Sequence, residues 1–198
     1  MRNLCIGLVL AFSMSAFAQS STESSSVFYK KQKFDHEGVE LYGSNTEMKN
    51  FKKLGLGLMA GSSTGMLGLN GEVNLDGNEA LVIGLGTGQS YGTFSLAWKH
   101  NFEAQYLSPY TKVGYSKWFN SSGRSATNSD VLKRIFSDQE LQEGRFDANF
   151  LVGGIGLEYN QLEGDLAGVN FFGELVMMEE ISKSVFVPTG GVGVIYYY

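Results

Sequence analysis

The sequence predicts an all-β fold: a closed antiparallel transmembrane β-barrel of about eight strands, or ten if one further pair joins. Three observations carry that prediction. The 198-residue chain ends on Gly191-Val192-Gly193-Val194-Ile195-Tyr196-Tyr197-Tyr198, an uncharged strand with an aromatic last residue. Segments of roughly ten residues with apolar side chains at every second position recur from Phe51 onward. Glycine is abundant at 26 residues, proline is scarce at 2, and mean hydropathy is −0.08. A mean near zero follows when lipid-facing and lumen-facing side chains alternate and cancel. No stretch approaches the roughly 20 consecutive apolar residues that a membrane-spanning helix needs.

In the final strand, Val192, Val194, Tyr196 and Tyr198 share one face while Gly191 and Gly193 occupy the other. A soluble domain rarely ends on such an edge, because it recruits other chains. In a membrane barrel the last strand closes against the first, and its aromatics sit at the lipid–water boundary. The ending resembles the C-terminal signal of bacterial outer-membrane β-barrel proteins. That resemblance implies recognition of the last strand by the barrel-assembly machinery.

The N-terminus points to export. Arg2 supplies a positive n-region, residues 4–12 form a short apolar core, and Ala16-Phe17-Ala18 is a small-x-small site. Residues 1–18 therefore read as a signal peptide cleaved before Gln19. Cys5, the single cysteine, lies inside that core, so the mature chain has no thiol for disulfide, catalytic or metal chemistry. Residues 19–50 read as a polar periplasmic extension. Its Ser-rich start, 19–26, is expected to be disordered. The remainder, with Lys30, Lys31 and Lys33 before Asp35-His36-Glu37-Gly38, forms a short hairpin or a loose segment.

The barrel proper is expected over 51–198. In the first strand Leu54, Leu56, Leu58 and Ala60 alternate with glycine or Met59, and Gly61-Ser62-Ser63-Thr64-Gly65 makes a turn. The second opposes Leu67, Leu69, Val73 and Leu75 to Asn70, Glu72 and Asn74. Asp76-Gly77-Asn78 is a tight-turn signal. Leu81, Ile83 and Leu85 mark the third strand, followed by a turn at Thr87-Gly88-Gln89-Ser90. The fourth sets Phe94, Leu96 and Trp98 against Thr93, Ser95, Ala97 and Lys99. Pro109 opens the fifth, where Thr111, Val113 and Tyr115 oppose Lys112, Gly114 and Ser116. A polar stretch, 120–144, then interrupts the series, with Ser129 placed to cap a helix running through Glu143. The sixth strand carries Leu151, Ile155, Leu157 and Tyr159 opposite Gly154, Gly156 and Glu158. In the seventh, Val169, Phe171, Leu175 and Met177 oppose Asn170 and Glu174, but Phe172, Val176 and Met178 blur the alternation. The eighth runs from about Val185 to the end.

Parity tests this layout. With a periplasmic N-terminus, the 120–144 loop falls between strands five and six, an extracellular position, and long loops belong outside. The Asp76-Gly77-Asn78 turn falls on the periplasmic side. The connections 101–107 and 160–167 are long for periplasmic turns. A strand pair from 27–43 would give ten strands with the same parity.

Applied throughout, this register sends Glu72, Lys99, Lys112, Glu158 and Glu174 inward as a paired lumen network tying neighbouring strands together. A basic side chain on the lipid face at mid-depth would cost about 2–4 kcal/mol. Aromatics expected in the membrane girdles are Phe102, Tyr106, Tyr159, Tyr196 and Tyr198 on the periplasmic side, and Tyr91, Tyr115, Trp118 and Phe119 on the other.

Chemistry is sparse. His36 and His100 lie far apart and make no ligand cluster. His100 is followed by Asn101-Phe102, which departs from the His-x-Ser motif of small-barrel lipid A deacylases. Gly84-Leu85-Gly86-Thr87-Gly88 precedes a turn and a strand, unlike a phosphate-binding loop, and Asp76-Gly77-Asn78-Glu79 is too short for a calcium loop. Neither a cofactor nor a metal is expected. The net charge of −5 argues against nucleic acid.

Strand count, glycine and aromatic usage and the C-terminal ending resemble the small OmpA/OmpX-type outer-membrane barrels over residues 51–198. The resemblance implies a non-enzymatic integral protein of a Gram-negative-type outer membrane, in contact with its lipid and acting through its surface loops. The 120–144 loop, with basic Lys133-Arg134 and an acidic 138–143 segment, is the candidate interaction surface for a partner the sequence does not identify. Alternatives are a narrow channel or transporter for small solutes, and a soluble periplasmic barrel holding an apolar ligand.

Overall fold

The computed structural model describes residues 34, 35, 38–120, 123–126 and 129–198. The signal peptide, the Ser-rich tail and His36 lie outside the described residues. Eight strands close into a single antiparallel ring: β1 (Leu54–Gly61), β2 (Leu67–Asn74), β3 (Glu79–Gly88), β4 (Tyr91–Asn101), β5 (Leu107–Asn120), β6 (Phe146–Asn160), β7 (Val169–Glu180) and β8 (Val185–Tyr197). Each strand pairs with its sequence neighbour, and β8 returns to β1 with Gly57 opposite Ile195 and Leu58 opposite Val194. Closure at this seam depends on Gly57: a Cβ there would lie 2.1 Å from the Val194 carbonyl oxygen. The ring has eight strands, not ten. Among the described residues ahead of β1, Phe34↔Glu40 and Leu41↔Glu163 form isolated bridges outside it.

The wall is apolar outside and polar within, the reverse of a water-soluble domain. Leu56, Leu58, Ile155 and Leu175 are 60–69% exposed on the outer face, while Asn70, Glu72, Lys99 and Glu158 are buried inside. The alternation of the strands explains both sides.

The interior is filled in layers. One end is closed by helix α1 (Asn45–Phe51), whose Met48 and Lys49 are fully buried. The Ser44 hydroxyl caps it by accepting from the Glu47 N–H at 3.2 Å. This corrects the reading of 19–50 as an extension apart from the barrel, since its last turns lie inside the ring. It also explains the two long connections. Asn45 donates its N–H to the Ala104 carbonyl at 3.0 Å, and Tyr42 to that of Leu162 at 2.9 Å, so both connections wrap the helix.

Midway, the 61–65 turn folds into the lumen as a 3-10 turn (Ser62–Thr64). Gly61 and Gly65 flank it at φ 85° and 81°, a region glycine enters without a Cβ clash. At the other end, the long loop forms two helices instead of one, α2 (Asp130–Lys133) and α3 (Asp138–Glu143). Ser137 breaks the run because it caps α3 in a reciprocal capping box with Glu140. The blurred alternation of β7 now has a cause: Phe172 packs against the α1 end, and Val176 and Met178 against the long-loop end.

Candidate functional site in the barrel interior

The five charged residues expected in the lumen all point inward and fall into two groups. In the first, Lys99 Nζ lies 3.0 Å from Glu72 Oε2 and 2.7 Å from Glu158 Oε2. A residue the register does not reveal completes it: Lys49 of α1 reaches Glu158 Oε1 at 2.6 Å, Glu72 Oε1 at 3.6 Å and Asn101 Oδ1 at 3.0 Å. The Tyr197 hydroxyl donates to Glu72 Oε1 at 2.8 Å. Two ammonium groups thus face two carboxylates, which leaves no excess charge in a site removed from water.

The second group pairs Lys112 with Glu174, which also accepts from the Ser62 hydroxyl and, at 2.9 Å, from Tyr110. The Tyr110 ring joins the groups, with Lys99 Nζ 4.5 Å from its centroid. Above it the 3-10 turn is held by the wall: the Ser63 carbonyl accepts from Ser116 at 2.9 Å and from Trp118 Nε1 at 3.0 Å, and the Thr64 carbonyl from Thr93 at 2.9 Å. One signal for Lys49 was in the sequence. Ser44-x-x-Glu47 is a helix-start pattern, and a helix there sets Met48 and Lys49 on its buried side.

The aromatics divide. Phe102, Tyr106, Tyr159, Tyr196 and Tyr198 project outward at the α1 end, 37–54% exposed, and Phe119 projects outward at the other end at 42%. Tyr115 shares the outward parity of Val113 and donates to Asn149 Oδ1 at 2.5 Å. Tyr91 and Trp118 do not belong to a girdle. Both are buried and stack at 5.1 Å between centroids. The reason is parity: Tyr91 keeps step with Thr93 and Lys99, and Trp118 with Lys112 and Ser116.

These two rings floor an apolar cap. Leu132, Ile135 and Leu141 from the loop descend onto Trp118, Phe150, Met178 and Val187. Lys183 in the β7–β8 turn ties the cap down, donating to the Ile135 carbonyl at 2.8 Å with its ammonium 4.5 Å from the Phe136 ring centroid. Among the described residues no group of three or more His, Cys, Asp or Glu side chains could hold a metal ion. Nor, among them, is any helix long and apolar enough to cross a membrane.

Neither a protein-family model nor a curated protein matches the chain. A solved structure similar to it is the N-terminal β-barrel domain of Pseudomonas aeruginosa OprF, at 16% identity and a TM-score of 0.49, covering 79% of this chain and 100% of that one. The architecture is a closed antiparallel barrel of eight strands paired in sequence order.

Proposed function

We propose that this chain is an integral outer-membrane β-barrel with a structural, adhesive or envelope-interaction role, carried by its long-loop end and involving no catalysis. One observation carries the reading: an apolar outer wall encircles an interior filled along its axis. The wall exposes Leu58, Leu69, Leu85, Leu96, Ile155 and Leu175, on β1 to β4, β6 and β7, at 39–69%. An apolar belt of that extent far exceeds the patches a soluble protein tolerates, and lipid is the solvent that suits it. The signal-peptide pattern of 1–18 supports export, and the aromatic β8 ending supports insertion by the barrel-assembly machinery.

The surface offered to partners is the outer side of α2 and α3, where Lys133, Arg134, Asp138, Gln139 and Glu143 are exposed. The filled lumen favours this role over solute passage, since α1, the 3-10 turn and Trp118 stand in series along the axis. The test is expression with the N-terminal segment intact, isolation of outer membranes, and electrophoresis in SDS with and without boiling. Membrane retention with a heat-dependent mobility shift is expected. Release into the soluble periplasm would overturn the reading.

A further inference from the structure

The elbow between α2 and α3 carries opposite charges on either side of one aromatic ring. Lys133 ends α2 and Arg134 caps it, while Asp138 opens α3 and Glu143 closes it. Phe136 lies between the two pairs, half-buried, with its ring centroid 5.1 Å from that of the buried Phe146. The four charged side chains are exposed, and none of them forms an ion pair among the described residues. Their neighbour Glu140 differs: the Ser137 N–H and hydroxyl both donate to its carboxylate, and Lys183 Nζ lies 3.8 Å from it. The cap therefore presents two cations and two anions that it does not neutralise itself.

A surface that runs basic, apolar, acidic is complementary to itself. Turned about a two-fold axis through Phe136, a second copy lays its acidic pair on the basic pair of the first, and the reverse. Each contact then occurs twice, and the two partly exposed rings meet at the centre, where interfaces concentrate their energy. We propose that the cap binds the cap of a second copy, Lys133 and Arg134 of each facing Asp138 and Glu143 of the other. The cap closes one mouth of the barrel, beyond the lipid belt, so the two barrels sit in apposed membranes and the contact joins two cells. The proposal rests on the membrane and adhesive reading above and names the partner that reading leaves open.

Sedimentation equilibrium of the protein in a non-ionic detergent measures the association directly. A dimer is expected in about 0.1 M salt, where exposed charges act over about 10 Å. In about 1 M salt, where they act over about 3 Å, association should be about tenfold weaker. That comparison needs no variant. Lys133→Glu/Arg134→Glu makes the patch wholly acidic, and Asp138→Lys/Glu143→Lys makes it wholly basic. Each variant alone should be monomeric and keep the heat-dependent gel shift. Mixed together they should dimerise as the unaltered protein does, because every contact again joins opposite signs. Cells carrying the unaltered protein in their outer membranes should settle together, and cells carrying the two variants should do so only when mixed. Association that ignores salt, or variants that associate unchanged, would mark contact through the apolar wall and overturn the proposal. So would a mixture that stays monomeric. Dimers in detergent without settling of cells would put both copies in one membrane and refute the joining of two cells. Failure of the membrane reading shows up separately, as a soluble protein in the fractionation.

Discussion

At the scale of single residues, the interior is governed by charge balance. Lys49→Met removes one of two ammonium groups and leaves Glu72 and Glu158 sharing Lys99. Breaking a buried pair from one side costs about 3–5 kcal/mol, because the remaining charge is uncompensated. The midpoint of urea unfolding in detergent should fall accordingly. Adding Glu158→Gln restores the balance as one Lys99–Glu72 pair, so the double variant should recover part of the loss. A Lys49→Met protein with an unchanged midpoint would show that α1 does not carry the network. Gly57 makes a different demand. The Val194 carbonyl oxygen lies only 2.1 Å from where a Cβ would sit, so Gly57→Ala must part the β1–β8 seam. The heat-resistant fast-migrating band should be lost or weakened. The inward fate of Glu72, Lys99, Lys112, Glu158 and Glu174 was legible from period-two alternation alone. Tyr91 and Trp118 were legible by the same rule. Their aromatic character near a strand end suggested a girdle, but side-chain direction follows parity, and parity placed them inside.

At the scale of elements, short helices act as closures and depend on their caps. α3 has only Leu141 fully buried, so its first turn leans on Ser137. Ser137→Ala should cost about 1 kcal/mol of local stability and raise proteolytic cleavage within the loop. The Ser137 N–H, donating to Glu140 Oε2 at 2.8 Å, and the Ser137 hydroxyl hold the Glu140 carboxyl below the usual glutamate range. A lowered folded-state value means the support is present above the ordinary glutamate range and is lost as pH falls through the lowered one. Hydrogen exchange at α3 amides should therefore show more protection, relative to the intrinsic rate, at neutral pH than in acid. Equal protection at both would refute the capping role. Both caps, Ser44-x-x-Glu47 and Ser137-x-x-Glu140, are written in the chain. What the sequence hides is direction. Gly61-Ser62-Ser63-Thr64-Gly65 has the composition of any exposed turn, and only donors from distant strands, Thr93, Ser116 and Trp118, make it an inward one. For the same reason polar residues before Phe51 looked solvent-bound, although a lumen that supplies carboxylate partners can take in a lysine.

At the scale of the whole molecule, three barriers stand in series: α1 with its charged layer, the 3-10 turn, and the apolar cap. Series barriers make a specific forecast for the long loop. Its polar sequence suggests a loop dispensable for folding, whereas the structure makes its Leu132, Ile135 and Leu141 part of a buried cluster with Trp118 and Phe150. Replacing residues 123–144 with a short turn deletes those side chains but leaves every ladder pair of the ring. The barrel should still insert and still migrate as a heat-modifiable band, at lower stability. Trp118, read in a Trp98→Phe background, would lose its cover, and its emission should move to longer wavelength. Planar-bilayer conductance should nevertheless stay at baseline, because Ser62–Thr64 and Lys49 still block the axis below the missing cap. Conductance on cap deletion alone would make the loop a gate over an otherwise open path. Unshifted emission would mean that Trp118 was already in contact with water in the intact protein.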